Sequence, residues 1–350
     1  MNRRGTSPVS VSIPLSFVLM MLATAGNPAR ADDEVAAFYA GKTIQMMVGT
    51  SPGGGVDLIG RLVARHLQNH IPGKPTIVVQ NVPGAGGNQM ANHLFASGAR
   101  DGTVIGAPLN GMPTGPLLTP KVSRFDPTQF TWIGSMYRSN NVAYVWHTSP
   151  VQSLEELKTK EVIVGTSGPG SGSNDLSILA RDVLGLKYRI VRGYKSGTEI
   201  NIAMERGEVH AQIVGWDSLK AQRPEWVRDK TITIIGHFSL EDPPDLRPFA
   251  RIVDLARTEA DRQALRLVLA RQAHGRPYFL PPGVPAARAA ALRRAFDATM
   301  RDPAFTAEAA AMKVDIDPMT GEAVQALVEQ VHRTTPADVV ERVRTMMATP

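Results

Sequence analysis

Three glycine-rich segments carry the residue types in this sequence best suited to chemistry, and that chemistry is anion binding. They are Ser51-Pro52-Gly53-Gly54-Gly55-Val56-Asp57, Pro83-Gly84-Ala85-Gly86-Gly87-Asn88 and Thr166-Ser167-Gly168-Pro169-Gly170-Ser171-Gly172-Ser173-Asn174-Asp175. Each follows a strand-like run and precedes a helix-like one. At a helix start several backbone N–H groups lack partners and the dipole is positive. A turn without bulky side chains can wrap an anion there with main-chain donors. A single such turn is better explained by a tight connection needing positive φ. Three at equivalent positions in two successive units point to a shared site. A hydrogen bond to a charged group is worth roughly 1.5–3 kcal/mol, so four or five amides could hold a carboxylate with little help from arginine. Asp57, at a helix start, either caps exposed amides or meets the ligand directly or through water; its type and position leave both open.

Other chemistries fit less well. Gln89 and Ser173 stand where a dinucleotide fingerprint needs its third glycine, and no GxxxxGK[ST] phosphate loop occurs. Gly49-Thr50-Ser51-Pro52-Gly53 matches the GxSxG of a nucleophile elbow, but Pro52 has no N–H to offer an oxyanion. The rival reading, an exported hydrolase using Ser51 or Ser167 with one of the eight histidines as base, therefore has no triad logic behind it. His66 and His70 are four apart, but Leu67 takes the glutamate position of HExxH, so packing or surface roles are expected and no metal. Trp216-Asp217 ends a strand-like run, where it could line a cleft or pack in the core.

The elements that must position these turns alternate. Strand-like runs at 43–49, 76–80 and 103–107 are separated by helix-like ones at 57–71 (Leu58, Leu62, Val63 and Leu67 on one side) and 88–97. After an irregular stretch, 110–139, the pattern restarts with strands at 142–146, 162–165, 188–192, 210–214 and 231–236 and helices at 173–185 and 197–206. Beyond Pro281-Pro282 the chain reads as helices at 285–300, 303–311, 321–332 and 336–347. This is an α/β pattern of two successive units, each a mostly parallel sheet flanked by helices, with a helical tail. In such sheets ligands bind outside the carboxyl ends of the strands.

Composition narrows the function further. Of 350 residues, 43% are apolar and 20% charged, enough to bury a core. With no cysteine there is no disulfide, thiolate metal site or catalytic thiol. Arg3 and Arg4, the apolar stretch Val9 to Ala25, and Ala29-Arg30-Ala31 read as an export signal cleaved after Ala31. Removing that segment lowers the surplus of positive charge from six to three, too little to argue for nucleic acid.

In their order behind an export signal, these motifs resemble the Bug family, the periplasmic solute-binding receptors of tripartite tricarboxylate transporters. Asp101-Gly102-Thr103, Gly193-Tyr194-Lys195, Gly207-Glu208-Val209 and Pro281-Pro282-Gly283-Val284-Pro285 belong to the same pattern, which runs over essentially the whole mature chain. The resemblance implies a two-domain flytrap: a signal peptide at 1–31, a first domain at 32–138 plus 278–350, and a second at 139–277. It implies a ligand gripped by Ser51, Gly53, Gly54, Gly55, Val56 and Asp57, and by Gly84, Ala85, Gly86, Gly87 and Asn88. Ser167, Gly168, Ser171, Ser173, Asn174 and Asp175, with Tyr194, Trp216 and Asp217, would close from the other domain. The implied function is capture of a small organic anion, a mono- or dicarboxylate or related acid, and delivery to membrane permease subunits. A monomer without catalysis, metal or cofactor is expected, and a ligand sensor signalling to a membrane partner would use the same fold. Two departures concern the ligand: Asn174-Asp175 replaces a histidine common near the third turn, and His210 replaces the usual acid after Gly207-Glu208-Val209.

Overall fold

A computed structural model describes residue 1 and residues 28–50, 52–53, 55–84, 87–167, 171–194 and 197–348. The expected signal core, and Ser51, Gly54, Ala85, Gly86 and Gly168 among the expected site residues, lie outside them. The helix Pro28–Tyr39 runs through the expected cleavage point, but its buried anchors, Val35 and Tyr39, both follow Ala31. The Tyr39 hydroxyl donates to the Gly102 carbonyl at 3.0 Å. Gly102 has φ +93°, and a Cβ there would stand 2.5 Å from that hydroxyl, so the Asp101-Gly102-Thr103 motif serves packing.

Eleven strands among the described residues form two sheets. The first contains β1 (Thr43–Val48), β2 (Thr76–Asn81), β3 (Val104–Ala107), β4 (Thr131–Ser135), β10 (Pro277–Leu280) and β11 (Met319–Thr320), in the order β11-β4-β10-β3-β1-β2. The second contains β5 (Asn141–Trp146), β6 (Val162–Thr166), β7 (Tyr188–Arg192), β8 (Ala211–Gly215) and β9 (Ile232–His237), in the order β7-β6-β8-β5-β9. The sheets share one plan. β1–β4 run in one sense with β10 antiparallel between β3 and β4; β6–β9 run in one sense with β5 antiparallel between β8 and β9. In each sheet the inserted strand is the one that has just crossed from the other.

The central strands are buried on both faces, so they read as apolar runs rather than alternations. Ile44, Met46 and Val48 of β1 are fully buried, whereas β2, at an edge, alternates exposed with half-buried. The helix Gly55–His70 covers this sheet with Ile59, Leu62, Val63 and Leu67. Leu58, expected on that face, is exposed instead, because positions 59, 62, 63 and 67 keep the 3.6-residue period. β4 arises within the stretch that reads as irregular, and β10 follows a helix, Glu259–Ala273, that the pattern does not announce.

The chain passes between the sheets at 135–141 and again at 272–277, and these passages pair with one another. Ser139 N–H donates to Gln272 O (2.8 Å), Gly275 N–H to Tyr137 O (2.9 Å) and Met136 N–H to Arg276 O (3.0 Å). The tail divides between the sheets. Helices Ala286–Met300 and Pro303–Ala311 pack on the first core. Gly321–Thr334 reaches both, through Val324 and Val328 on the first side and Val331 on the second. Ala337–Ala348 places Val339, Val340 and Val343 in the second core, beside Glu259–Ala273. The final helix thus packs its apolar face against the second sheet's covering helices, whereas the two helices at the start of the tail pack on the first core.

Candidate functional site

Strand register builds the first half of the site. Val48 pairs with both Asn81 and Ala107, so β1, β2 and β3 end level and the loops after them stand side by side. Gly49 and Gly87 allow this closeness: a Cβ on Gly49 would stand 3.0 Å from Gly87 Cα, and one on Gly87 (φ +88°) 3.1 Å from Leu109 Cδ1. Gly87, Asn88, Gly53, Gly55 and Val56 all lie at this edge, at the starts of helices Asn88–Ser97 and Gly55–His70.

Asp57 lies buried beneath the first turn. Its carboxylate accepts from the Gly53 N–H (2.8 Å), from Asn81 Nδ2 (2.8 Å) and from the Arg61 fork (3.1 and 3.0 Å). Asn81 Nδ2 also donates to Thr50 O at 2.9 Å. Burial alone would raise this carboxyl; Arg61, the Gly53 amide and Asn81 outweigh it and hold Asp57 below the ordinary carboxylate value. The four oxygen lone-pair positions of the carboxylate are matched by these donors. Asp57 thus ties the loop to both its helix and β2.

The third turn is organised by its own side chains. Ser171 caps the helix Gly172–Asp182, its Oγ accepting from Asn174 N–H (3.3 Å), while Ser167 N–H donates to Ser173 Oγ (3.4 Å). Asn174 Oδ1 accepts from Arg192 Nε (2.8 Å). Asp175 Oδ2 accepts from Arg271 Nη1 at 2.8 Å in an ion pair whose side chains are 2% and 11% exposed. Sequence shows the acid but not Arg271, which is 96 positions away.

A cavity of about 200 Å³ joins the two halves. Leu109, Asn110 and Gly111 bound it from beyond β3, Gly172, Asp175 and Leu176 from the third turn, and Ser139, Asn141, Val268, Arg271 and Gln272 from the passages. Leu109 is also the neighbour of Gly87, so the cavity borders the second turn. Tyr194 lies at the end of β7, its ring 3.4 Å from where a Cβ on Gly165 would stand. Burial, with Glu208 and Glu199 nearby, holds its hydroxyl above the usual value. Trp216 opens a helix at the end of β8, its N–H donating to Asn140 O (2.7 Å); its indole Nε1 is buried without a partner among the described residues. Asp217 follows in that helix.

Sequence reasoning misses Arg276. Its guanidinium lies over the Tyr137 ring (5.4 Å to the centroid), and Nη1 donates to Gly275 O at 2.8 Å. Nη2 comes within 3.9 Å of where a Cβ on Gly55 would be, and Nε is buried without a partner among the described residues. A cation therefore faces the first turn. No local signal marks it, since it lies 221 positions from the helix start at Gly55.

The histidine pair that a metal site would need has other partners among the described residues. His66 Nε2 meets Glu308 (2.7 Å) and His70 Nε2 meets Asp302 (2.9 Å), each on the helix side facing the tail. No group of three metal-ligating side chains occurs among the described residues. Nor does a histidine partner Ser167 among them.

Comparison with known proteins bears on the fold. The chain superimposes on a TctC solute-binding protein from Polaromonas over 87% of its length and 99% of that chain, with TM-score 0.68 and 17% identity. The fold is that of the periplasmic solute-binding proteins. The periplasmic binding protein BugD matches over 87% and 98% with TM-score 0.60 and 18% identity. MatC from Rhodopseudomonas palustris, solved with bound malate, matches over 87% and 99% with TM-score 0.57 and 17% identity. In sequence, the chain is 39% identical over 91 residues to protein BugT of Bordetella pertussis, a segment spanning about a quarter (26%) of each chain. No family model matches. The resemblance to Bug-family receptors thus meets a sequence relative over one segment and solved relatives of the fold over most of the chain. No helix among the described residues is long and apolar enough to cross a membrane.

Proposed function

We propose that the chain is an extracytoplasmic solute receptor of the Bug type, which captures a small organic carboxylate and hands it to a membrane permease without chemical change. The observation that carries this reading is the placing, along the line between two sheets, of level glycine turns, an arginine without a carboxylate partner among the described residues, and a cavity. A carboxylate at the start of helix Gly55–His70 would receive main-chain amides from the first two turns and Arg276 Nη2. Charge-assisted bonds of this kind are shorter and roughly twice as strong as neutral ones. Asp57 acts through the loop, holding the amides in place. The two sheets with their covering helices form the two domains, joined by the paired passages, and the final helix travels with the second. Ser167, Ser171 and Ser173, with Tyr194 and Trp216, approach from that domain. Capture of the ligand by both domains favours the closed form, as differential affinity requires. Export through the N-terminal segment would carry the receptor to the periplasm, and the relative solved with bound malate supports a carboxylate as cargo.

The test is a thermal-shift screen of short mono-, di- and tricarboxylates, followed by calorimetry on those that stabilise. A ligand present at a hundred times its Kd adds about 2.7 kcal/mol of stability, an easily read shift. If no carboxylate stabilises the protein, or if an ester is turned over in a manner abolished by Ser51→Ala or Ser167→Ala, the receptor reading fails.

A further inference from the structure

The geometry points to a ligand with one carboxylate and an uncharged, oxygen-bearing far end, the cavity at Asp175 and Arg271 being its neutral subsite. This rests on the receptor reading above. Among the described residues that line the cavity the charged groups are Asp175 and Arg271, and they pair with each other at 2.8 Å. Asp175 is buried and Arg271 is only 11% exposed, so a second ligand carboxylate would bring a third charge into a poorly solvated space beside a like-charged neighbour. It could not readily displace Asp175. That residue sits in the first turn of helix Gly172–Asp182, where the dipole favours an acid, and its Oδ1 also accepts from Asn174 Nδ2 at 3.2 Å.

What the cavity lacks is an acceptor. Arg271 Nε is buried without a partner among the described residues, and a buried donor left unsatisfied is costly. A carbonyl, amide or hydroxyl oxygen meets that need without adding charge. Asn110, Ser139 and Asn141 add neutral polar groups to the lining, while Leu109, Leu176 and Val268 suit methylenes. Gln272 is less available, its amide lying between the Ser139 and Phe238 carbonyls. The volume, about 200 Å³, equals that of roughly six or seven waters and so takes a short chain. Outside that lining, Arg276 faces the first turn with no carboxylate partner among the described residues, and Arg61 already compensates Asp57. One such cation and one neutral pair match a monoanion.

Succinate, glutarate and adipate, each titrated calorimetrically against its own monoamide, test this on the purified protein. At the length that fits best, the monoamide should bind about tenfold or more tightly than the diacid. Asp175→Asn, which leaves Arg271 uncompensated, should move that ratio towards the diacid by a similar factor. A purely structural role for Asp175 would weaken both ligands together. The inference is overturned if the wild-type protein binds the diacid as well as or better than the monoamide, or if a folded Asp175→Asn protein keeps the wild-type ratio. Should that variant not fold, the wild-type ratio decides alone. If neither member of any pair binds at millimolar concentration, the inference falls; the receptor reading falls with it only if the wider carboxylate screen is also blank.

Discussion

Replacing Asp57 by asparagine should destabilise the protein and weaken ligand binding only in step with that loss. Asparagine keeps the shape, but one carboxylate oxygen becomes an NH2 that faces donors. On the Oδ2 side these are Gly53 N–H and Arg61 Nε; on the Oδ1 side, Asn81 Nδ2 and Arg61 Nη2. Either orientation leaves a buried donor unmatched, at about 1–3 kcal/mol. The lost ion pair adds less than a buried pair would, because the Arg61 side chain is 41% exposed and can turn to water; about 1 kcal/mol is reasonable there. A total of roughly 2–4 kcal/mol corresponds to a fall in melting temperature of about 5–12 °C for units of this size. The pH dependence gives a second reading. Asp57 titrates below its ordinary value of 3.8 in the folded protein, so its contribution is complete above that value and is lost as the pH falls through the folded pKa. The gap between wild type and variant should therefore close in acid. Differential scanning calorimetry across pH, with titration of a carboxylate found by screening, measures both. An unchanged melting temperature with lost affinity would refute the reasoning and make Asp57 a direct ligand contact.

Three further outcomes follow from the same geometry. Arg276→Gln should lower carboxylate affinity about 10- to 150-fold and flatten its salt dependence, with little change in thermal stability; calorimetry at two ionic strengths reads this. Gly87→Val should abolish binding while far-UV circular dichroism stays native, because a β-branched residue is strained at φ +88° and its Cβ would press on Leu109. His274, buried within the return passage, is pushed down to about 4 by burial and, secondarily, the neighbouring Arg271 charge, against 6.5 unfolded. The unfolded chain then binds a proton that the folded one refuses, so stability should drop by up to about 3 kcal/mol as pH falls from 6.5 towards 4. Urea denaturation of His274→Gln should show a shallower slope across that window.

Much of the architecture is legible in local sequence because its causes are local. The apolar runs at 43–48 and 162–166, and the glycine turns that follow them, report strand burial and helix starts directly. β4 and β10 are not legible in this way. Trp132, Ile133 and Phe279 are apolar, but the runs are short and lie among turn residues, and their partners come from opposite ends of the chain. The final helix shows the same limit: its valine stripe announces a buried face but not which core will receive it.

The candidate site divides along the same line. By itself the sequence determined which backbone segments lack side-chain bulk where helices begin, and hence that an anion could be wrapped there; amide exposure at a helix start depends only on neighbours in the chain. It could not determine which charges face those amides. Asp57 presents the same letter whether it contacts a ligand or locks a loop, and Asn81, from the next strand, decides its geometry. Asp175 meets Arg271, and Arg276 meets Gly55, only because the chain crosses twice between sheets and the second passage lies back along the first. Electrostatic compensation depends on distance in space and on burial rather than on position along the chain, and so only the tertiary structure could show which of these charges are paired.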